Sequence, residues 1–213
     1  MYDVIVIGAG HAGIEACLAS SRMNKKTAIV TLSKDMIGSM PCNPSVGGPA
    51  KGIVVREIDA LGGMMPIAAD RTALQFKMLN TTKGPGVWSL RVQSDKIAYK
   101  RFMKEALEKQ DHLDIIEAAC KSVVIKDGKA IGVELEDGTF IESKTVVLTA
   151  GTYMTSNVLR GHTSTVSGPE EQRTVNTLSK SLRAAGIRTF RLKTGTPARV
   201  KMDTIDFSKA EPQ

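Results

Sequence analysis

Three cysteines and three histidines are all that 213 residues offer to sulfur or imidazole chemistry. Cys17, Cys42 and Cys120 are widely spaced and odd in number, which excludes a disulfide framework and a paired metal motif. Such sparing use of cysteine fits a reducing compartment. His11, His112 and His162 are too scattered for a metal centre or a catalytic triad. No apolar run approaches the roughly 18 residues that span a bilayer. Met1-Tyr2-Asp3 runs straight into an apolar strand, with neither a basic segment nor a small-residue cleavage site, so no secretory signal is expected. There is no internal repeat, heptad or low-complexity tract. These absences leave a soluble protein, read as cytoplasmic.

What remains is ordinary globular material, 42% hydrophobic and 24% charged, long enough to bury about 70% of the surface its unfolded chain exposes. The net charge of +7 is concentrated in one place. From Arg160 to Lys201 nine Lys/Arg stand against Glu170 and Glu171, so that segment is +7 by itself and the rest of the chain sums to zero. A one-sided basic patch is the footprint of a polyanion partner, with a solvated helix face as the plainer reading.

A buried-strand run over 2–7, a glycine turn, a helix over 11–23 and a second strand over 27–32 open the chain as a βαβ unit. From Met36 to Pro49 three prolines and three glycines forbid regular structure and predict a functional loop. A helix over 51–61 stops at Gly62-Gly63. After the Lys83-Gly84-Pro85-Gly86 loop comes a helix capped by Ser94 or Asp95, with Ile97, Phe102, Met103, Ala106 and Leu107 as its apolar stripe. Strands over 113–118, 122–125, 130–135 and 140–141, with turns at Asp127-Gly128 and Asp137-Gly138, predict an antiparallel meander. A strand over 145–149, a helix over 177–185 and a strand over 187–192 complete the reading.

Gly8-Ala9-Gly10-His11-Ala12-Gly13 lies between a strand and a helix, the context that a dinucleotide-binding G-x-G-x-x-G requires. Gly8 allows the turn, Gly10 lets backbone approach a pyrophosphate, and Gly13 lets helix and strand pack closely. The phosphate then meets the positive end of the helix, and His11 is expected to hydrogen-bond at the helix start. The acidic residue usual for the ribose is missing: Thr31, Leu32 and Ser33 end the second strand, leaving Thr31 or Ser33 as neutral partners and Asp35 late. FAD is preferred over NAD because the motif opens the chain, a meander follows the helical insert, and Val146 to Thr152 resembles a returning strand with an A-T-G-like end. Ala150-Gly151 otherwise reads as an ordinary strand-end turn. Cys42 is the cysteine of the Pro/Gly loop, where Lys51 and the helix it opens can favour a thiolate, or it is a loop cysteine without chemistry. Cys17 reads as a small core residue.

Five blocks carry a closer likeness: Gly8 to Ala16, Cys42-Asn43-Pro44-Ser45-Val46-Gly47-Gly48-Pro49-Ala50-Lys51-Gly52, Glu57 to Gly63, Leu79-Asn80-Thr81-Thr82-Lys83-Gly84-Pro85 and Leu192-Lys193-Thr194-Gly195-Thr196-Pro197-Ala198-Arg199. In this order they resemble the GidA (MnmG) family of tRNA-modifying flavoproteins. The resemblance implies an α/β, glutathione-reductase-type FAD-binding Rossmann-like fold with a central parallel sheet and an antiparallel β-meander. It also implies FAD as cofactor, NADH and methylene-tetrahydrofolate as cosubstrates, and carboxymethylaminomethyl addition at C5 of the wobble uridine of tRNA. A homodimer joined to the GTPase MnmE in a heterotetramer is implied as well, with no membrane. By position, Gly8 to Gly13 would hold the pyrophosphate, Thr31 the ribose, Cys120 the adenine end and Thr149 to Thr152 (Ala150 and Gly151 among them) the flavin, with Cys42 as catalytic thiol. Arg188, Arg191, Lys193 and Arg199 would meet tRNA phosphates.

Members of that family are longer. Residues 1–200 therefore read as the first, incomplete part of the FAD domain and 201–213 as the start of an inserted domain or a tail, inactive in isolation. The alternatives are a non-catalytic FAD- or RNA-binding fragment, or another flavoprotein of the same fold. Among the latter, a folate-dependent tRNA methyltransferase relative and a fumarate-reductase type are disfavoured by the Cys-Asn-Pro-x-x-Gly-Gly block.

Overall fold

A computed structural model gives the fold of the chain and describes residues 1–195 and 200–211. β1 (Tyr2–Ile7) and β2 (Thr27–Thr31) are joined by α1 (His11–Arg22), as the opening periodicity requires. Every residue of β2 is buried, the signature of a β-branched strand covered on both faces of a parallel sheet. The loop after β2 is not wholly irregular: Ser45–Gly47 forms a short strand, β3.

α2 (Lys51–Ala60) stops before Gly62-Gly63, and α3 (Met64–Arg71) starts at once beyond them. No side chain at its own N-cap holds α3. The Glu15 carboxylate reaches over from α1 instead, accepting the N–H of Met64 at 2.9 and 3.0 Å and of Met65 at 2.6 Å. β4 (Ala73–Leu79) and β5 (Ser89–Ser94) follow, and together with β3 make an antiparallel sheet in the order β3-β5-β4.

α4 (Lys96–Glu108) is capped by Asp95, whose Oδ1 accepts from Ile97 N at 2.8 Å and Ala98 N at 2.9 Å. Its buried line is Tyr99, Met103 and Leu107, one residue every four. Ile97, expected in that stripe, is 75% exposed. The cap places it at the second helical position, on the outer side of the first turn, and Tyr99 takes the core.

β6 (Leu113–Glu117) lies beside β2, and β7 (Cys120–Lys126), β8 (Lys129–Leu135) and β9 (Phe140–Leu148) form the meander. The β7–β8 turn is Asp127-Gly128 with φ of 50° and 74°, the doubly left-handed geometry of a type I′ hairpin. The two expected strands over 140–141 and 145–149 are one strand. Its first residues pair antiparallel with β8, from Glu134↔Phe140 to Gly132↔Glu142. From Tyr2↔Ser143 to Ile7↔Leu148 it pairs parallel with β1. Polar Glu142-Ser143-Lys144 looks like a break, yet Ser143 is buried and donates its hydroxyl to Thr145 O at 2.8 Å. At Gly132 a Cβ would stand 2.2 Å from Ile141 O, so β8 and β9 meet closely only because the side chain is absent.

The large sheet therefore has the order β6-β2-β1-β9-β8-β7. Alternate residues of β1 divide the core. Val6 faces Ile14, Leu18, Tyr99 and Met103 on the α1/α4 side. Ile5 and Ile7 face Cys120, Val133, Leu135 and Leu178 on the other. β10 (Asn157–Arg160) and β11 (Thr163–Val166) form a separate hairpin, and α5 (Asn176–Ala184) packs on β7. The strand expected over 187–192 is not formed. Ile187, Phe190 and Leu192 are 49, 83 and 82% exposed, with no strand beside them among the described residues. No helix among the described residues is long and apolar enough to cross a membrane.

Candidate functional site

The connections from β1 leave to one side through α1 and β2, whereas β9 returns on the other. Such a reversal opens a crevice beyond the carboxyl ends of the strands. Here it is a cavity of about 300 Å³, walled by the glycine turn, the ends of β2 and β9 and the start of β7.

The three motif glycines serve three different ends. Gly8 has φ +105°, and a Cβ there would lie 2.6 Å from Thr149 O. At Gly13 a Cβ would lie 1.8 Å from Gly8 O. A Cβ at Gly10 would meet nothing within 4 Å, because that position faces the open cavity. Thr149 locks the turn from the neighbouring strand, its Oγ1 lying 2.9 Å from Ile7 O and 3.0 Å from Gly8 O. Gly10 stands at the N-cap of α1 without any side-chain cap. The uncapped start of the helix thus lies at the cavity, an arrangement suited to an anion.

Gly8, Ala9 and Gly10 line the cavity, whereas His11, Ala12 and Gly13 do not. The hydrogen bond expected of His11 at the helix start is not formed among the described residues. The His11 ring lies 5.6 Å from that of Tyr99, and its buried Nε2 has no partner among the described residues. Burial, with a smaller contribution from Lys51, lowers its pKa to about 4 and keeps the imidazole neutral.

At the ribose position Thr31 lines the cavity and donates its hydroxyl to Ser33 O at 3.1 Å. Asp35 is engaged elsewhere, 3.0 Å from the Lys104 ammonium, which holds its carboxyl below the usual range. Cys120 is buried at the head of β7 and reaches the cavity wall, its thiol raised to about 11 by burial. Ala150 and Gly151 line the opposite end. Sequence reasoning missed Met36 and Ser39, from the loop after β2, and Gln172, Val175 and Leu178, which close the cavity from the α5 side. Only the amphipathic start of α5 carried a signal for the last of these.

Cys42 is exposed and is not part of the cavity wall, although Pro41 beside it is. Lys51 donates to Ser45 O at 3.2 Å. Desolvation lowers the pKa of its ammonium, and the proximity of Cys42 acts in the opposite direction to a smaller extent. Lys51 therefore lies within electrostatic reach of both Cys42 and His11. Among the described residues no cluster of three His, Cys, Asp or Glu can hold a metal.

The basic segment is partly neutralised. Arg173 pairs with Glu136, and Arg160 lies 3.4 Å from Glu171. Arg191 donates to Thr155 O at 3.2 Å, whereas Arg188 and Lys193 are exposed and have no ion pair among the described residues. Arg199 lies outside the described residues, as do Thr196 and Pro197 of the Lys-Thr-Gly-Thr-Pro block.

A parallel β6-β2-β1-β9 order, a glycine turn at the switch point and a meander feeding the fourth strand define a Rossmann-like domain of the glutathione-reductase-type FAD-binding class. Within that class the chain belongs to the family described as glucose inhibited division protein A, whose model matches residues 3–213. A relative from Mycoplasma capricolum, named tRNA uridine 5-carboxymethylaminomethyl modification enzyme MnmG, is 56% identical over 98% of this chain and 33% of its own length. The solved GidA structure from Aquifex aeolicus superposes with a TM-score of 0.92 at 47% identity, over 97% of this chain and 34% of that one. A probable FAD-dependent monooxygenase from Pseudomonas aeruginosa shares the fold alone, with a TM-score of 0.52 at 14% identity over 91% of this chain and 48% of its own. The chain spans about a third of the length of the curated relatives it matches.

Proposed function

We propose that this chain holds FAD in the cavity at the ends of β1, β2 and β9, as the flavin-binding portion of an enzyme that modifies C5 of the wobble uridine in tRNA. The observation that carries the reading is the glycine turn. Gly8 and Gly13 are filled by neighbouring backbone, and Gly10 alone is left open toward the cavity and the uncapped start of α1. A diphosphate fits there. Thr31 accepts from a ribose hydroxyl, since its own proton is directed to Ser33 O, and the wall at Cys120 takes the adenine.

When bound, the flavin supplies two-electron redox chemistry, for which NADH and a methylene-tetrahydrofolate carbon donor are the cosubstrates of the whole enzyme. Cys42, exposed at the rim beside Pro41, is the thiol offered to the uridine. Arg188, Arg191, Lys193 and Arg199 bind tRNA phosphates. The whole enzyme is a homodimer working with the GTPase MnmE. Residues 1–200 are the first part of its FAD domain and 201–213 lead into the next.

The test is an absorbance spectrum of the purified chain between roughly 350 and 500 nm, with heat release of any bound flavin. A yellow protein, or one that becomes yellow with added FAD and loses this in the Gly10→Ala variant, supports the reading. A chain that stays colourless with FAD present yet binds tRNA favours a non-catalytic RNA-binding module. Binding of tRNA should weaken steeply with salt, and charge removal at Arg188 and Lys193 should reduce the slope by about 2.

A further inference from the structure

A second cavity, of about 250 Å³, lies where α2 and α3 pack on the three-stranded sheet, and it shares no lining residue with the first. The Cys42–Gly52 block supplies Val46, Gly47, Gly48 and Gly52 to its wall, and the Glu57–Gly63 block supplies Asp59. Both blocks stand out in the sequence, and the flavin reading leaves these residues without a task. Gly47 is what brings β3 onto β5: its φ is +114°, and a Cβ there would stand 2.0 Å from Leu90 O. The deep part of the wall is small and apolar, with Val46, Ala69 and Val92 all buried.

The outer part is polar. On α2, Gly52, Arg56 and Asp59 stand three and four apart and so share one helix face, as Pro66, Ala69 and Asp70 do on α3. Trp88, Leu90 and Val92 alternate along β5 and the residue before it, so they share one face of the sheet. One indole, one guanidinium and two carboxylates therefore border a small apolar base. Trp88 is 45% exposed and is the one tryptophan of the chain. Arg56, Asp59 and Asp70 are exposed and enter no ion pair among the described residues.

This mixture selects by charge and shape. An anionic ligand meets two like charges, and a bare cation meets Arg56. A neutral flat ring avoids both: its face stacks on the indole, its N–H groups donate to the carboxylates, and a ring carbonyl accepts from the guanidinium. Two carboxylates beside one guanidinium favour a ring with more donors than acceptors on that edge. A ring N–H between an exocyclic amine and a carbonyl has this form, whereas adenine lacks the ring N–H and uracil lacks the amine. We propose that the cavity binds an aminopyrimidinone ring, of the kind fused in guanine and in pterin, stacked on Trp88, with Asp59 and Asp70 on its donor edge and Arg56 on its carbonyl. The same edge occurs on a guanine base of RNA and on a free small molecule. The site does not rest on the flavin reading, because the two cavities are separate.

The test is a titration of the full chain without flavin, followed by the fluorescence of Trp88 and, independently, by equilibrium dialysis. Guanosine should change the emission saturably and bind at least about fivefold more tightly than inosine, which lacks the amine, and than adenosine or uridine. Asp59→Asn and Asp70→Asn should each weaken guanosine about fivefold or more, and Trp88→Ala should do the same by dialysis. Two further titrants separate the sources. Tighter binding of a single-stranded RNA oligomer carrying one guanine, weakening as salt rises, assigns the site to RNA; tighter binding of pterin assigns it to a small molecule. Equal binding of guanosine and inosine, no saturable change up to the solubility of guanosine, or binding untouched by both aspartate variants overturns the proposal. Should a variant fail to fold, the comparison of guanosine with inosine on the wild type decides alone. A chain that binds guanosine but no FAD sustains this site while refuting the flavin reading, so the two failures are distinct.

Discussion

Replacing Gly13 and Gly10 by alanine, one at a time, should separate packing from cofactor recognition within a single motif. At Gly13 the new Cβ starts 1.8 Å from Gly8 O and 2.7 Å from Thr149 Oγ1. A carbon–oxygen contact settles at about 3.3 Å, so α1 must withdraw by roughly 1.5 Å from a carbonyl that cannot rotate away. Overpacking of this kind costs about 3 kcal/mol, the upper end of its usual range. For a chain of this length that is roughly 6–12 °C in Tm. At Gly10 the Cβ meets nothing within 4 Å and the backbone, at φ −76°, suits alanine. Only the N-cap preference is lost, about 1 kcal/mol or 2–4 °C. That methyl, however, stands where the diphosphate approaches, and FAD affinity should fall at least about tenfold, equivalent to 1.4 kcal/mol. Thermal unfolding and a flavin titration on the two variants check both halves. If Gly13→Ala leaves Tm within a degree of wild type, or Gly10→Ala lowers it as far as Gly13→Ala does, the division of labour assigned to the glycines is wrong.

Glu15→Ala should free the start of α3, lowering stability by about 1–2 kcal/mol and Tm by roughly 2–8 °C, and amide exchange should rise first at Met64 and Met65. Thr149→Val keeps the shape of the side chain but removes its bond to the glycine turn; the expected loss is about 1 kcal/mol by denaturant unfolding, with flavin binding weakened alongside. Because the pKa of His11 is lowered to about 4 by burial, the unfolded chain takes up a proton there that the folded chain refuses. Stability attributable to this residue is thus intact above pH about 6.5 and is lost progressively as pH falls toward 4; in His11→Asn the unfolding midpoint should vary less over that window.

The parts of the fold that local pattern dictates were legible in the residues: the βαβ opening, the Asp127-Gly128 turn and the Gly62-Gly63 stop each depend on a few neighbours in the chain. What stayed hidden depends on distant partners. The start of α3 is held by Glu15, 49 residues back, and nothing near Met64 announces it. β4 alternates in the wrong sense for a reader who assumes that apolar means inward, since Leu74, Phe76 and Met78 are 69, 57 and 41% exposed. Ser143 looks like an interruption until its hydroxyl is seen bonded within β9. At the site, the glycine turn and Thr31 were singled out from motif context, Cys120 from family resemblance and Ala150 and Gly151 from both; all four residues lie on the cavity wall, and their part in holding a cofactor belongs to the proposal. The inward turn of His11 and the closing role of Gln172 and Val175 follow from tertiary packing and were not. The strand expected over 187–192 failed because β-branched and apolar residues alone do not supply a partner edge.

The double pairing of β9 sets a timetable for folding. β1 leaves a ribosome well before β9, so one of its two hydrogen-bonded edges waits for residues 143–148. At 5–20 residues per second that wait is on the order of 7–30 s. During it β1 can pair only with β2, and β2 with β6, so the nascent chain carries an open parallel edge. Completion is then a single event: once β9 zips onto β1 it joins the meander and the three-stranded opening into one sheet, and the walls of the dinucleotide cavity come together in that same step.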